Sequence, residues 1–431
     1  MTDHLWIVLP HLGPGGAQKV ALLAAEHFAA LGWRVRVVSL LPDKLPVHQV
    51  PEGAALLDLG DAVAAARLGD HWNRSLIARA RRFLRLWLHR LTAWLLLILL
   101  WPWLRRQRPP AGAGLLRWLV RGVGGPQATL LHEAIARERP QRVLALLTRT
   151  AMLACQASWD RDLHLVVSER NDPLLQRLGF PWARLRPLLY KRADRITANT
   201  RGVVANLGPA LGLKGVTLLP NPLPGAAAVA ASDPALREKL FLVVARLVPQ
   251  KGVDVLLRAL ARQAAALDGW HCEIVGDGPE RDALRQLADQ LGLTAAGPVA
   301  SARAMVSFAG FQTPVAPWLQ RAAVFVLPSR FEGMPNALLE AMAAGCAPIV
   351  TDSSPGPLEL VEAGVSGLVV PADDPGALGE ALVRLATDAG LRMELGRSAR
   401  RQLLGSDWPT IEPIWRNVLR MDGEPMDRID G

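Results

Sequence analysis

The run from Val324 to Asp352, V-F-V-L-P-S-R-F-E-G-M-P-N-A-L-L-E-A-M-A-A-G-C-A-P-I-V-T-D, constrains the fold more than any other part of the chain. Val324 to Leu327 is short and wholly apolar, as a strand buried on both faces requires. Pro328 and Ser329 close it. After a loop, Asn336 to Ala344 has helical composition, with Leu338, Leu339 and Met342 as its apolar face and Gly345 placed to stop it. Pro335 suits the first turn of that helix, where a missing N–H costs nothing. Pro348-Ile349-Val350 then starts another strand. Strand, loop, helix, strand is the unit of a parallel α/β sheet, and its loop lies at the carboxyl edge, where such sheets bind ligands.

Two carboxylates mark this unit, Glu332 in the loop and Glu340 in the helix, with seven residues between them. Backbone N–H groups around Gly333, Met334 and Asn336 at the helix start suit a diphosphate. Glu332 would stand beside whatever the diphosphate carries, and Glu340, about a turn inside, can accept from a ribose. The plainer alternative is one Glu favoured by the helix dipole and a second that is merely solvated. Against it, S-R-F-E-G-M-P-N and G-C-A-P-I-V-T-D resemble the donor-site motif of the retaining glycosyltransferases of family 4.

A second segment resembles the same family. Arg246-Leu247-Val248-Pro249-Gln250-Lys251-Gly252 follows a predicted strand, Leu240 to Ala245, and precedes a predicted helix, Val253 to Ala266. It is similar to the family's A-R-L-x-x-x-K-G element, whose Arg and Lys clamp the nucleotide diphosphate. Two cations at a strand end can neutralise a leaving diphosphate without a metal ion. Read alone, they are two exposed basic residues on a loop. The G-D-G-P turn at Gly276 to Pro279 reads as structural, and Phe308 to Gln312 resembles the family's base-proximal segment.

The first half has the same alternation. Leu5 to Leu9 reads as a buried strand, Ala17 to Leu31 as a helix stopped by Gly32, and Arg34 to Val38 as the next strand. The turn between, G-P-G-G, fits neither dinucleotide nor P-loop spacing, and alone is a tight turn. By resemblance, Gly15 and Gly16 face the donor phosphate, and Ser329 joins the donor-binding set. The S-E-R-N-D-P and Y-K-R-A-D-R-I-T-A-N-T runs resemble a subgroup acting in bacterial surface-polysaccharide assembly. Arg170, at a strand's carboxyl end, and Arg149 are candidates for an acceptor phosphate; a surface Arg170 paired with Glu169 or Asp172 is the equal alternative.

At 431 residues the chain is too long for one core. The resemblance implies the GT-B arrangement, two Rossmann-like domains facing each other across a cleft. We expect an acceptor domain over residues 1–218, a nucleotide-sugar domain over 219–405, and a tail, 406–431, whose helix crosses back. Asn221 to Ser232 reads as the linker. Cys155, Cys272 and Cys346 are odd in number and widely spaced, reading as buried thiols in a reducing compartment. The His residues form no metal-like spacing.

Residues 71–121 lie outside the resemblance. They hold eleven Arg, no Lys and no acid, which exceeds the whole chain's net charge of +10, and six of its fourteen Trp. On a helical wheel Leu76, Ala80, Phe83, Trp87, Leu91, Trp94 and Ile98 share one face, and Arg74, Arg81, Arg82, Arg85 and His89 the other. This is the pattern of a helix lying in a membrane interface. Leu91 to Leu104 is uncharged but shorter than the ~20 residues a span needs, and Pro102 interrupts it. Arg105, Arg106 and Arg108 would then meet anionic headgroups. Single-stranded nucleic acid suits basic residues with aromatics but gives Leu and Ile nothing to bury against. A pair of core helices with a solvated Arg face is the remaining alternative.

Together these readings predict a retaining hexosyl- or N-acetylhexosaminyltransferase, cytoplasmic and peripheral on the inner face of the membrane. It would move sugar from a nucleotide-sugar to a lipid-linked or surface polysaccharide, without cofactor, metal or nucleic acid. Arg246 and Lys251 would stabilise the departing diphosphate, Glu332 orient the sugar and Glu340 bind ribose. A GT-B epimerase would need acids and His that the sequence does not assemble. A phosphorylase would need a pyridoxal Lys, and an inactive scaffold sits poorly with an intact Glu332, Glu340, Arg246 and Lys251 set.

Overall fold

A computed structural model of the chain describes residues 4–13, 15–41, 48–68, 76–223, 237–295, 305–403 and 405–421, with backbone alone at 65–68, 76–83, 85, 86 and 90. Residues 224–232 of the expected linker, the following 233–236, and 296–304 ahead of the base-proximal segment fall outside the described residues. So do Arg74 and the side chains of Leu76, Ala80, Phe83, Arg81, Arg82 and Arg85.

The chain divides into two compact units, the first holding Met1–Asn199, Val203–Pro220 and the chain from Glu412 on, the second Thr200–Gly202 and Asn221–Ile411. The first contains β1 (His4–Leu9), α1 (Gly16–Ala30), β2 (Arg34–Ser39), β3 (Ala54–Asp58), α2 (Gly60–Leu68), α3 (Leu76–Leu99) and α4 (Trp101–Leu104). It continues through α5 (Ala113–Gly124), α6 (Pro126–Glu138), β4 (Arg142–Leu146), α7 (Thr148–Ala157), β5 (His164–Glu169) and α8 (Trp182–Leu189). β6 (Arg195–Ala198), α9 (Arg201–Leu211) and β7 (Val216–Leu218) complete a seven-stranded sheet of order β3-β2-β1-β4-β5-β6-β7. Every pairing in it is parallel.

The second unit runs β8 (Glu238–Val244), α10 (Val253–Arg262), β9 (His271–Val275), α11 (Arg281–Gln290), β10 (Val306–Gly310), α12 (Ala316–Arg321) and β11 (Ala322–Leu327). After them come α13 (Asn336–Ala344), β12 (Ala347–Thr351), α14 (Pro355–Leu360), β13 (Leu368–Val370), α15 (Pro375–Thr387) and α16 (Ala389–Gln402). The last helix, α17 (Trp408–Leu419), belongs to the first unit from Glu412 on. The six strands of the second unit, again all parallel, lie in the order β10-β9-β8-β11-β12-β13. β1, β11 and β12 are buried along their whole length, which is why they read as unbroken apolar runs. Each Leu, Ile or Val so buried contributes about 1.5–3 kcal/mol.

Within the first unit, the part of α17 from Glu412 on is held by its side chains and last carbonyls. Trp415 is fully buried and donates from Nε1 to Pro220 O at 3.0 Å, while His27 meets Glu412 at 2.9 Å. His164 Nε2 lies 2.9 Å from Val418 O, and Arg142 donates to the carbonyls of Leu419 and Arg420.

Residues 76–124 include helices that reach into the core of the first unit. Ala93 and Leu97 of α3, Leu104, and Leu116, Leu119 and Val120 of α5 are buried in the same cluster as Trp6, Val8 and Leu131. α3 and α5 approach closely at Gly122, where a Cβ would stand 2.9 Å from that of Ala93. His89, placed on the polar face by the helical wheel, turns toward α5, its ring 4.6 Å from that of Trp118. The core-helix alternative is therefore right for one edge of α3. The other edge stays bare: Trp87, Leu91, Trp94 and Ile98 are all exposed. Two smaller expectations also change. α10 ends at Arg262, not Ala266, and Pro335 caps α13 from outside, with extended angles (φ −78°, ψ 103°), and does not lie in its first turn.

Candidate active site

In the second sheet the order reverses between β8 and β11: the chain leaves β8 for β9 and β10 on one side, and β11 for β12 and β13 on the other. Loops after two such strands diverge and open a crevice at the carboxyl edge. The loops concerned are 245–252 and 328–335, which carry the sequence candidates.

Lys251 ends the 3-10 turn Pro249–Lys251, and its Nζ lies 2.5 Å from Glu332 Oε1. Ser329 Oγ donates to the same oxygen at 2.7 Å, and the Glu332 N–H donates to Ser354 Oγ at 2.8 Å. Glu332 is only 7% exposed, so its carboxylate depends on these partners. Arg246 points outward and forms no ion pair among the described residues. α13 starts without a side-chain cap, and Asn336 Oδ1 accepts from Asn221 Nδ2 at 2.6 Å. Glu340 is 5% exposed, so it is not the solvated residue of the plainer alternative. Gly333 supports the start of α14, where a Cβ on Gly356 would meet Gly333 O at 1.6 Å; Met334 beside it is half-buried.

The two loops are bolted together by residues that sequence reasoning missed. Arg330 donates from Nη1 and Nη2 to Asp254 Oδ1 and Oδ2 at 3.0 and 2.9 Å, and from Nε to Asp373 Oδ1 at 2.7 Å. Its N–H donates to Gln250 O at 2.8 Å, and Gln250 Nε2 donates to Phe331 O at 2.9 Å. Gly252 takes φ +60°, and a Cβ there would lie 1.9 Å from Pro328 O, so the loops touch backbone to backbone. Hydrogen bonding to Asp254 pushes the Arg330 guanidinium above its ordinary value. Burial pushes the Asp254 carboxyl up, but the hydrogen bond and charge of Arg330 outweigh it and hold that carboxyl below its ordinary value. The Gly276–Pro279 turn buttresses the Arg246 loop: Leu247 N–H donates to Asp277 O at 2.9 Å and Glu280 N–H to Leu247 O at 3.1 Å. The base-proximal candidate is the end of β10, where Gln312 Nε2 donates to Ala309 O at 2.9 Å.

The first sheet reverses between β1 and β4. Gly15 and Gly16 stand at that edge, as the N-cap and first residue of α1. Across it, Leu147 holds φ +74° as the N-cap of α7, a strained setting that costs about 1–3 kcal/mol and is concentrated at functional sites. Arg149 follows, its guanidinium carbon 5.0 Å from the centre of the Trp182 ring. At the end of β5, Glu169 is fully buried and accepts from Thr148 Oγ1 at 2.6 Å, from Arg186 Nε at 3.1 Å, and from the Tyr190 hydroxyl. Burial, then the Glu169 charge, pushes the Tyr190 hydroxyl well up. Asp172 accepts from Leu174 N–H at 2.9 Å and Asn206 Nδ2 at 2.8 Å. Arg170 is 6% exposed, which corrects the surface-residue alternative, and burial draws its pKa down to about 9. Among the described residues no three His, Cys, Asp or Glu side chains gather as a metal site would require.

Residues 238–388, within the second unit, match the family model described as glycosyl transferases group 1. A lipopolysaccharide core biosynthesis glycosyltransferase, LpsE of Rhizobium meliloti, is 31% identical over 236 residues, 54% of this chain and 64% of the relative. A Campylobacter jejuni N-acetylgalactosamine-N,N'-diacetylbacillosaminyl-diphospho-undecaprenol 4-alpha-N-acetylgalactosaminyltransferase is 30% identical over 224 residues, 51% of this chain and 58% of that one. The chain thus spans less than two thirds of the length of the curated relatives it matches. Among solved structures, Anabaena HepE in complex with UDP aligns over 98% of this chain and 100% of its own, at TM-score 0.68 and 16% identity. TarM of S. aureus aligns over 97% and 100%, at TM-score 0.70 and 10% identity. At such identities the likeness is one of fold, and that fold is GT-B.

Proposed function

We propose that the protein transfers a hexosyl or N-acetylhexosaminyl group from a nucleoside diphosphate donor held by the second unit to a lipid-linked or polysaccharide acceptor. The transfer retains anomeric configuration and uses no metal ion. The observation that carries this reading is the Lys251–Glu332 pair at the reversal of the second sheet, inside the segment that matches group 1 glycosyl transferases. Lys251 and Arg246 supply positive charge where the diphosphate leaves, and the start of α13 presents N–H groups to it. The bond from the anomeric carbon to the diphosphate oxygen breaks, and one to the acceptor oxygen forms on the same face. The acceptor proton passes to the departing phosphate. Glu332 faces the sugar, Glu340 takes the ribose, and Ser329, Gly333, Met334 and Asn336 complete the donor set within the second unit.

Relatives named for lipopolysaccharide core synthesis and for a diphospho-undecaprenol substrate support a lipid-borne glycan as acceptor. Neighbours solved with UDP and UDP-glucose support a uridine donor as the first to try. Arg149 and Arg170 at the edge of the first sheet are the acceptor candidates, and the enzyme works peripherally on the inner face of the cytoplasmic membrane. The test is release of nucleoside diphosphate from a panel of nucleotide-sugars, with and without a lipid-linked glycan extract. Release that requires the extract and adds one sugar mass to it is expected. Conversion of the donor sugar without acceptor would instead indicate an epimerase.

A further inference from the structure

The bare edge of α3 calls for an occupant. Leu84, Trp87, Leu91, Trp94, Leu95 and Ile98 follow one another at helical spacing, and each is between 38% and 54% exposed. Opposite them Ala93 and Leu97 are at most 2% exposed against α5, so the orientation of the helix is fixed by its own core. Soluble monomers rarely leave so continuous an apolar stripe bare. We propose that this face of α3 beds into an anionic phospholipid surface, lying in its plane, and so holds the first unit against a lipid-carried acceptor. This rests on the transferase reading for the acceptor, but not for the surface.

Three observations select a bilayer. First, the stripe has basic neighbours along the chain and no acidic ones: Arg105, Arg106 and Arg108 are exposed just past α4, and no Asp or Glu occurs in the sequence from 71 to 132. Headgroups of anionic lipid complement that charge, and the apolar layer beneath them takes the Trp and Leu side chains. A second copy fits poorly, because a twofold contact would set identical Arg tracts near one another. Second, no helix of the described residues is long and apolar enough to cross a membrane, so α3 lies in the interface and does not span.

Third, the stripe connects to the acceptor candidates through one loop. The Trp94 ring is 4.5 Å from that of Phe180, itself 39% exposed, and Arg184 lies over Trp101 at 5.8 Å. Trp182, between them in sequence, carries Arg149 on its ring. Leu174, 66% exposed, lies on the same loop, four residues after Arg170. A lipid diphosphate anchored in the bilayer beside α3 would thus present its phosphates and glycan to Arg149 and Arg170, with its tail left in the membrane.

The experiment is vesicle flotation of the full chain. Vesicles of phosphatidylcholine alone are compared with an equimolar mixture containing phosphatidylglycerol. The wild type should float with the mixed vesicles and far less with the neutral ones. Trp87→Gln, Leu91→Gln and Leu95→Gln combined should lower partition at least tenfold at an unchanged melting temperature, since all three are exposed. Arg105→Gln, Arg106→Gln and Arg108→Gln combined should remove the preference for anionic lipid while leaving the residual apolar binding. High salt should strip the wild type only partly, because salt screens charge but not apolar burial. Wild type that floats with neither vesicle, or an apolar triple variant that floats like wild type, overturns the proposal. So does a lipid-free dimer that the apolar triple variant dissociates. Flotation without nucleotide-sugar turnover would sink the transferase reading and leave the surface standing; turnover on a water-soluble acceptor without flotation would do the reverse.

Discussion

Glu332 and Lys251 exchange roles with each other according to what is asked of them. To the fold, Lys251 is the cation that makes a buried carboxylate tolerable, since Glu332 is 7% exposed with its Oε1 between Lys251 Nζ and Ser329 Oγ. To the proposed reaction, Lys251 is the charge that receives a leaving phosphate and Glu332 the group facing the sugar. Single and double substitutions separate these demands. Lys251→Met should destabilise by on the order of 1–3 kcal/mol, because it strands a buried acceptor, and lower kcat/KM by about a hundredfold or more. Adding Glu332→Gln should restore most of the melting temperature, having removed the stranded charge, and restore no activity. A double variant with recovered turnover would assign the pair to architecture alone. The carboxylate, the cation and Ser329 were all legible in sequence. Ser354 was not, because nothing local marks a serine that accepts from a backbone N–H 22 residues earlier.

At the scale of elements, the donor loops act as one body because Arg330 spans them. It lies inside the S-R-F-E-G run but binds Asp254, 76 residues earlier, and Asp373, 43 later, so no window of sequence reveals it. Arg330→Gln and Asp254→Asn should each reduce kcat/KM by roughly tenfold, and the double variant should lose little more, as partners in one interaction do. Additive losses would mean that the two act independently. The pH response has a definite sign. The folded-state pKa of Asp254 is depressed, so its contribution to stability is present above the ordinary value of 3.8 and disappears as pH falls through the lower folded value. Melting curves taken on that acid limb should therefore show a shallower decline in Asp254→Asn than in wild type. The strands were readable for a simple reason, that both faces of each central strand are covered. β3 was missed because its residues are mostly exposed or half-buried and offer no apolar run. α3 was misread at its inner edge because Ala93 and Gly122 make the contact, and small residues leave almost no trace in a hydrophobic pattern.

For the molecule as a whole, each sheet of a doubly wound pair reverses once, and candidate site residues stand at both reversals. Gly15, Gly16, Arg149 and the strained Leu147 stand at the first, between β1 and β4. Arg246, Lys251, Ser329 and Glu332 stand at the second, between β8 and β11. The resemblance in S-R-F-E-G-M-P-N and in A-R-L-V-P-Q-K-G made the second reversal legible, whereas the first announced itself only through a glycine turn of ordinary appearance. Residues 71–121 showed their charge and apolar stripe plainly, but the division of α3 into a core edge and a bare edge needed the packing of α5. In the proposed reaction the second unit holds a nucleoside diphosphate by Arg246, Lys251 and the start of α13. Calorimetric titration of the full chain with UDP, GDP and ADP, with a chelator present, tests it most directly. Saturable one-to-one binding of one of the three is expected, weakened at least tenfold in Lys251→Met; binding of none of them by the wild type, or equal binding by the variant, would overturn this assignment.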